Sequence, residues 1–93
     1  MAEKEVKDID NLIDQGLNED KSELDLREKE LDDEDLLEVL ASDKIKGITA
    51  LFLEFNEVGD KSIIALAECE KLKFLTAMNL FKNKATDESV KAL

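Results

Sequence analysis

The chemistry that this chain can offer comes mainly from carboxylates, amides and phenylalanines. Residues 32–35 form an acidic run with the oxygen ligands that calcium prefers, but the run lacks the alternating ligands and central glycine of an EF-hand loop. Carboxylates are also favoured where a helix begins, and we interpret the run in that way. The chain has no histidine, no serine in a nucleophile-elbow motif, no glycine-rich phosphate loop and no metal-ligand spacing. The sequence therefore predicts a non-enzymatic protein with no catalytic residue, no metal site and no cofactor.

Two asparagines and two phenylalanines are the other candidates for specific contacts. Asn56 and Asn83 lie 27 residues apart, and an amide can satisfy several backbone groups of a turn at once. Phe52 and Phe81 lie in segments of alternating apolar and polar residues, on the side that should face water. Exposed aromatic side chains rimmed by charge often mark binding sites. Scattered surface phenylalanines are also ordinary, so the sequence leaves both interpretations open.

A period of 27 residues positions all of these side chains. Three apolar positions recur without a slip in spacing, as Leu24/Leu26/Leu31, Leu51/Leu53/Val58 and Met78/Leu80/Ala85. A repeat of this length indicates stacked supersecondary units that bury their apolar faces against each other. In each unit an alternating stretch predicts a strand, over residues 23–28, 50–55 and 77–82.

A helix is expected after each strand, over residues 34–41, 61–71 and from 88 onward. Before these helices stand Asp33, Asp60 and Asp87, each expected to cap its own helix. In the second helix the residues expected to face the sheet are Ile63, Ile64, Leu66 and Ala67. Residues 2–15 read as a further amphipathic helix, ended by Gly16 in a left-handed conformation. Because helices alternate with strands, the strands should be parallel.

The units resemble the leucine-rich repeat family. The second unit reads I-x-x-L-x-L-x-x-N-x-V, from Ile48 through Asn56 to Val58, and the third repeats this pattern. The first is degenerate, with Lys21 and Lys29 at two consensus positions. The helical return in each unit is similar to the ribonuclease-inhibitor-like subclass.

This resemblance implies an α/β fold, a short leucine-rich repeat solenoid of right-handed β-α units with an N-terminal capping helix. Residues 21–93 would form about two and a half to three repeats, and residues 1–20 the cap. Strands pack closer together than helices, so the parallel sheet should be concave and the helices convex. In the family the asparagine amide links the turn after the strand to the adjacent repeat, which is the structural role expected of Asn56 and Asn83.

The charge of the chain narrows the class of partner. Residues 1–44 hold 17 acidic and 6 basic residues, whereas residues 45–93 hold 7 of each, so the net charge of −11 lies in the first half. No basic stripe is present for nucleic acid, no apolar run approaches transmembrane length, and no signal-like segment opens the chain. We therefore expect a cytoplasmic protein that binds neither nucleic acid nor membrane, with a protein or peptide as partner. A basic partner is compatible with the charge.

The residues expected to contact such a partner line the concave strand face, and they are Asp25, Arg27, Phe52, Glu54, Asn79 and Phe81. Phe55 and Phe74 are expected in the core. Three functions are compatible with this surface: a protein-interaction module, a structural cap or N-terminal fragment of a longer repeat protein, and an inhibitor or regulator of an enzyme. Self-association through an uncapped last repeat, which ends at Leu93, is also compatible with the sequence.

Overall fold

The computed structural model describes residues 7–86 of the chain. In this range the elements are α1 (Ile9–Gly16), β1 (Glu23–Asp25), α2 (Asp33–Ala41), β2 (Ala50–Phe52), α3 (Asp60–Glu68) and β3 (Ala77–Asn79). Short 3₁₀ turns at Asp43–Ile45 and Glu70–Leu72 precede β2 and β3. This order confirms the predicted α/β class. The helix expected from residue 88 onward, with Asp87 before it, lies outside the described residues.

The described strands form one parallel sheet in the order β1-β2-β3. Each strand pairs with the strand that lies one 27-residue unit further along the chain, as the period predicts. The strands end three residues earlier than expected, at positions 25, 52 and 79. Parallel backbone bonds nevertheless continue past these ends: the Leu26 N–H donates to the Phe52 carbonyl at 2.9 Å, and the Phe55 N–H to the Phe81 carbonyl at 2.9 Å.

The core lies between one face of the sheet and the helices. Leu24 and Leu51 from the strands are buried together with Leu36 from α2 and Ile63 from α3. Each such side chain contributes about 1.5–3 kcal/mol when it is removed from water. Met78, the equivalent residue of β3, is half-buried, since β3 forms the edge of the sheet within residues 7–86.

The buried stripe of α3 is narrower than the sequence suggests. Ile63 and Leu66 are buried, but Ile64 is 48% exposed and Ala67 is exposed, so their expected contact with the sheet is wrong. Residues 63 and 66 are three apart and share one face of a helix, whereas residues 64 and 67 lie beside that face. Within residues 7–86 no helix has the length and apolar character needed to cross a lipid bilayer.

Gly16 also differs from expectation, because it is the last residue of α1 and not a left-handed residue after it. The helical hydrogen bonding continues, with the Leu17 N–H donating to the Ile13 carbonyl at 3.0 Å. Glycine is needed at position 16 because the end of α1 closely approaches β1. A Cβ at position 16 would lie 3.0 Å from Leu24 Cδ1 and closer still to the Asp25 carbonyl oxygen.

Candidate functional site

The sheet face opposite the core is the candidate binding site, termed the strand face here. It consists of the polar and aromatic residues at the outward positions of the three strands and just after them: Glu23, Asp25, Arg27, Phe52, Glu54, Asn79 and Phe81. Successive side chains of a strand point to opposite faces, so these residues lie on the side away from the buried leucines. The structure thus brings together on one surface all six residues that the sequence assigns to partner binding.

Asp25 and Arg27 form a two-point ion pair at the β1 end of the strand face. Arg27 Nε donates to Asp25 Oδ1 at 3.0 Å, and Nη2 donates to Oδ2 at 2.7 Å. The hydrogen bond from the guanidinium lowers the pKa of Asp25, and the same bond raises the pKa of Arg27. The Arg27 backbone N–H also donates to Asp25 Oδ1, at 3.0 Å. The pair therefore holds both side chains in place and neutralises both charges.

The third unit repeats this turn with a neutral residue. The Phe81 N–H donates to Asn79 Oδ1 at 3.0 Å, in the same two-residue pattern as Arg27 and Asp25. In the middle unit this position is occupied by Phe52, whose ring has no acceptor for such a bond. The fold therefore forms the turn there without a polar side chain, and Phe52 is not needed to make it.

Phe55 belongs to this surface as well, although hydrophobicity alone places it in the core. It is 50% exposed, and its ring meets the Phe81 ring edge-on, with centroids 5.7 Å apart and an interplanar angle of 90°. Its backbone is left-handed, at φ +60°, as it is at Glu28 and Lys82, the equivalent residues of the other units. This conformation costs a residue with a Cβ about 1–2 kcal/mol. The turn directs the side chain of each unit toward solvent, which corrects the expected burial of Phe55.

The phenylalanines share one property that the sequence could have revealed. Each of the four lies at a repeat position where the other two units carry polar residues or glycine. The equivalents are Asp25 and Asn79 for Phe52, Glu28 and Lys82 for Phe55, Asp20 and Gly47 for Phe74, and Arg27 and Glu54 for Phe81. At these four positions the residue is exposed or half-buried in every unit, because the units share one backbone path. The core residues are aliphatic, and the rings lie outside it.

Phe74 is also exposed, at 59%, so its expected place in the core is wrong. It lies in the turn before β3, and Lys73 Nζ is 5.3 Å from the centre of its ring. A depression of about 470 Å³ beside it is lined in part by Cys69, a free and half-buried thiol. This region lies at the opposite ends of the strands from Phe55 and Phe81, and it is not part of the strand face.

Two shallow depressions flank the Asp25 and Arg27 pair. The first has a volume of about 450 Å³, and its lining includes Glu54, Phe55 and the end of α1. The second, about 420 Å³, extends past Phe52. Both volumes are in the range of small binding sites in proteins, about 300–1,000 Å³. Glu54 lines the first depression and is half-buried, and its Oε1 is buried without a hydrogen-bond partner among residues 7–86.

The structural asparagine of the second unit lies behind the strand face. Asn56 Oδ1 accepts hydrogen bonds from the Lys29 N–H at 3.1 Å and from the Leu31 N–H at 3.0 Å. Its Nδ2 donates to the Leu26 carbonyl at 2.8 Å and to the Leu53 carbonyl at 2.9 Å. A single amide therefore joins the turn of its own unit to the turn of the preceding unit.

Asn83 makes the corresponding contacts one unit later. Its Nδ2 donates to the carbonyls of Leu53 at 2.8 Å and Leu80 at 3.1 Å, and its Oδ1 accepts from the Val58 N–H at 3.0 Å. Asn83 is half-buried, whereas Asn56 is buried. The two amides hold the strand ends at a constant spacing and so support the surface in front of them.

The aspartates expected to cap their own helices act across units instead. Asp32 caps α2, with its Oδ1 accepting from the Asp35 N–H at 3.0 Å and Asp35 Oδ2 accepting from the Asp32 N–H at 3.1 Å. Asp33, one residue inside the helix, accepts from the Gly59 N–H at 2.8 Å and from the Ser62 hydroxyl. The acidic run thus forms the start of α2, and one of its carboxylates binds the start of α3.

Asp60 repeats this link to the following unit, because it accepts from the Thr86 N–H at 2.6 Å and from the Thr86 hydroxyl. Gly59, not Asp60, is the N-cap of α3. The helices begin one residue earlier than the sequence suggests, which moves both aspartates out of the capping position.

The described part of the chain was compared with the side-chain arrangements that hold metal ions. Among residues 7–86 no group of three or more histidine, cysteine, aspartate or glutamate side chains is arranged to hold a metal ion. No protein-family model matches this chain, and comparisons with curated proteins and with solved structures found no match.

Proposed function

We propose that this chain is a non-enzymatic protein-interaction module whose strand face binds a protein or peptide. One observation carries the proposal: every phenylalanine lies at a repeat position that is polar or glycine in the other units, and Phe52, Phe55 and Phe81 cluster on or beside the strand face. Large exposed side chains are a cost to a protein unless they contact something. Aromatic residues are also enriched at the centres of interfaces. The proposed compartment is the cytoplasm.

The proposed architecture is a short leucine-rich repeat solenoid, with residues 1–20 as its N-terminal cap and the strand face on its concave side. The 27-residue register of the sheet supports it, since each unit pairs only with its neighbours. The side-chain links of Asn56 and Asp33 support it too, because each crosses from one unit to the next. A concave, right-handed array would present Phe52 and Phe81 to one partner at once.

The proposal is tested by placing a photo-reactive phenylalanine analogue at position 81 or, as the control, at position 64. Phe81 is 58% exposed and Ile64 is 48% exposed, so the two sites are similarly accessible and differ in the face that they report. We expect ultraviolet irradiation in a cell lysate to cross-link a defined protein to position 81 and not to position 64. Capture from position 64 alone would contradict the assignment of the face.

Once the captured protein is identified by mass spectrometry, its binding affinity for variants of this chain can be measured. Substituting both Phe52 and Phe81 by alanine should weaken its binding by about tenfold or more, because each aromatic anchor of an interface contributes about 1 kcal/mol or more. Both side chains lie outside the core, so the variant should keep its circular dichroism spectrum and unfolding temperature. A competition assay with the substrates of the captured protein would distinguish a simple binder from an enzyme inhibitor.

A further inference from the structure

We infer that the strand face recognises an arginine or lysine side chain of its partner, seated between the Glu54 carboxylate and the Phe55 ring. The inference rests on the proposed function and names the chemistry of the partner that the same surface takes. Its location is the first depression, termed the Glu54 pocket, which is lined by Gln15, Gly16, Asp25, Arg27, Glu28, Lys29, Glu54 and Phe55.

The charges that line the Glu54 pocket favour a cation. Asp25 and Arg27 neutralise each other through their two hydrogen bonds at 3.0 and 2.7 Å. What remains is Glu28 and Glu54 against Lys29, an excess of one negative charge. An incoming guanidinium or ammonium group would restore the balance, whereas an incoming carboxylate would increase the repulsion.

Glu54 is the residue of this pocket whose carboxylate most needs a donor. Its Oε1 is enclosed by protein and has no hydrogen-bond partner within residues 7–86. Arg27 attracts it electrostatically, but the guanidinium hydrogen bonds are made to Asp25. A polar oxygen that has lost its water without gaining a donor destabilises the protein. Glu54 is half-buried, so a rotation of its carboxylate into the pocket would bring this oxygen to a cationic partner. Such a partner supplies both the donor and the compensating charge, and hydrogen bonds of this type are the strong ones.

The rings beside Glu54 are available to a cation. Phe52 and Phe55 flank Glu54 in the chain, and each lines one of the two depressions. In the described range, Phe74 and Phe81 already carry a lysine ammonium at 5.3 and 5.4 Å from their ring centres, whereas no such contact occurs at Phe52 or Phe55. A cation near Glu54 would therefore meet aromatic rings that carry no lysine, and the ring quadrupole would attract it.

The charge of the whole molecule favours the same partner. The net charge of −11 attracts a basic segment from a distance and accelerates its encounter with the surface. The Phe55–Phe81 pair next to the pocket offers an apolar contact to residues that flank the cation. The partner that fits best is a basic peptide segment with apolar side chains next to its arginine or lysine.

The experiment uses two defined probes on the full chain, labelled with ¹⁵N and observed by NMR. One probe is acetyl-Gly-Arg-Gly-amide, and the other carries citrulline, which keeps the shape of arginine and removes its charge. We expect the arginine peptide to shift the amide signals around Glu54, Phe55 and Arg27. The citrulline peptide should bind about tenfold more weakly, the loss expected for one charged hydrogen bond.

Two variants that each remove one negative charge show where the arginine peptide binds. Glu54→Gln should weaken arginine-peptide binding by about tenfold. Glu38→Gln, which removes a carboxylate from the exposed side of α2, should leave it unchanged. Because Glu54 Oε1 makes no hydrogen bond within residues 7–86, its replacement should not unfold the protein.

Three results of the peptide experiments would overturn the inference. The first is an equal response to the arginine and citrulline peptides, or binding that Glu54→Gln leaves intact. The second is a set of shifts centred on the acidic start of α2, which would indicate general attraction to acidic residues. The third is concentration-dependent dimerisation that buries Phe55 and Phe81, which would assign the surface to a second copy of the chain. A protein captured at position 81 that binds without Glu54 would leave the proposed function standing and overturn this inference alone.

Discussion

Replacing Asn56 by alanine should destabilise this protein more than the same change at Asn83. The Asn56 amide is buried and makes five hydrogen bonds of 2.8–3.4 Å to backbone groups of two units. Alanine has neither donor nor acceptor in its side chain, so the substitution breaks all five bonds. The cost therefore depends on which backbone groups find another partner.

The buried groups decide the magnitude. The N–H of Leu31 and the carbonyl of Leu26 belong to fully buried residues, and each unsatisfied group of this kind costs about 1–3 kcal/mol. The Lys29 N–H belongs to an exposed residue and can bond to water. The Leu53 carbonyl keeps the hydrogen bond from Asn83 at 2.8 Å. We expect a loss of about 2–5 kcal/mol, a large share of the roughly 5–15 kcal/mol that typically stabilises a domain.

Asn83 provides the matched control, because it occupies the same repeat position in a half-buried setting. Its Oδ1 accepts from the N–H of the buried Val58, while Leu80, whose carbonyl accepts from the Asn83 Nδ2, is only half-buried. Asn83→Ala should therefore cost about 1–2 kcal/mol. Urea unfolding followed by far-ultraviolet circular dichroism measures both values, with the slope against urea expected to stay constant. Equal losses at the two positions, or a loss below about 0.5 kcal/mol at Asn56, would refute this reasoning.

Three further perturbations test other contacts of the fold. Gly16→Ala forces a Cβ against the neighbouring strand carbonyl and should lower the unfolding temperature by several degrees, and an unchanged temperature would contradict the close approach. Asp33→Ala removes the acceptor for the Gly59 N–H and should lower the free energy of unfolding in urea by about 0.5–2 kcal/mol. An unfolding midpoint equal to that of the wild type would contradict this role of Asp33. The pKa of Lys44 is raised above 10.5 because its ammonium donates to two carboxylates of α1. Its stabilising effect is complete below pH 10.5 and is lost as the pH rises through the higher folded pKa, so Lys44→Met should reduce the alkaline loss of stability.

The fold could be predicted at those repeat positions where several units carry the same type of residue. The 27-residue spacing places Leu24, Leu51 and Met78 in one row, and a parallel sheet with this register follows from the row. The amide contacts of Asn56 agree with the role that the resemblance to leucine-rich repeats implies for it. The hydrophobicity of a single residue gave the wrong prediction for Phe55 and Phe74. It placed both in the core, although their equivalents in the other units are polar or glycine.

Other features depend on distances that a sequence does not contain. The need for glycine at position 16 arises from how close α1 comes to β1, not from its own backbone angles. The link from Asp33 to Gly59 depends on whether the helix begins at residue 33 or 34, a difference of one residue that pattern analysis does not resolve. The same limit applies to the candidate site. Its outward residues follow from strand alternation, whereas the Phe55–Phe81 contact requires coordinates.

The most direct test of the binding role is a calorimetric comparison of two variants with the protein captured at position 81. The variant with alanine at both Phe52 and Phe81 removes the aromatic anchors of the strand face, and Ile64→Ala removes an exposed apolar side chain from α3. We expect a dissociation constant at least about tenfold higher for the phenylalanine variant and an unchanged value for Ile64→Ala. Full affinity in the phenylalanine variant, with a loss in Ile64→Ala, would contradict it and assign binding to the helices.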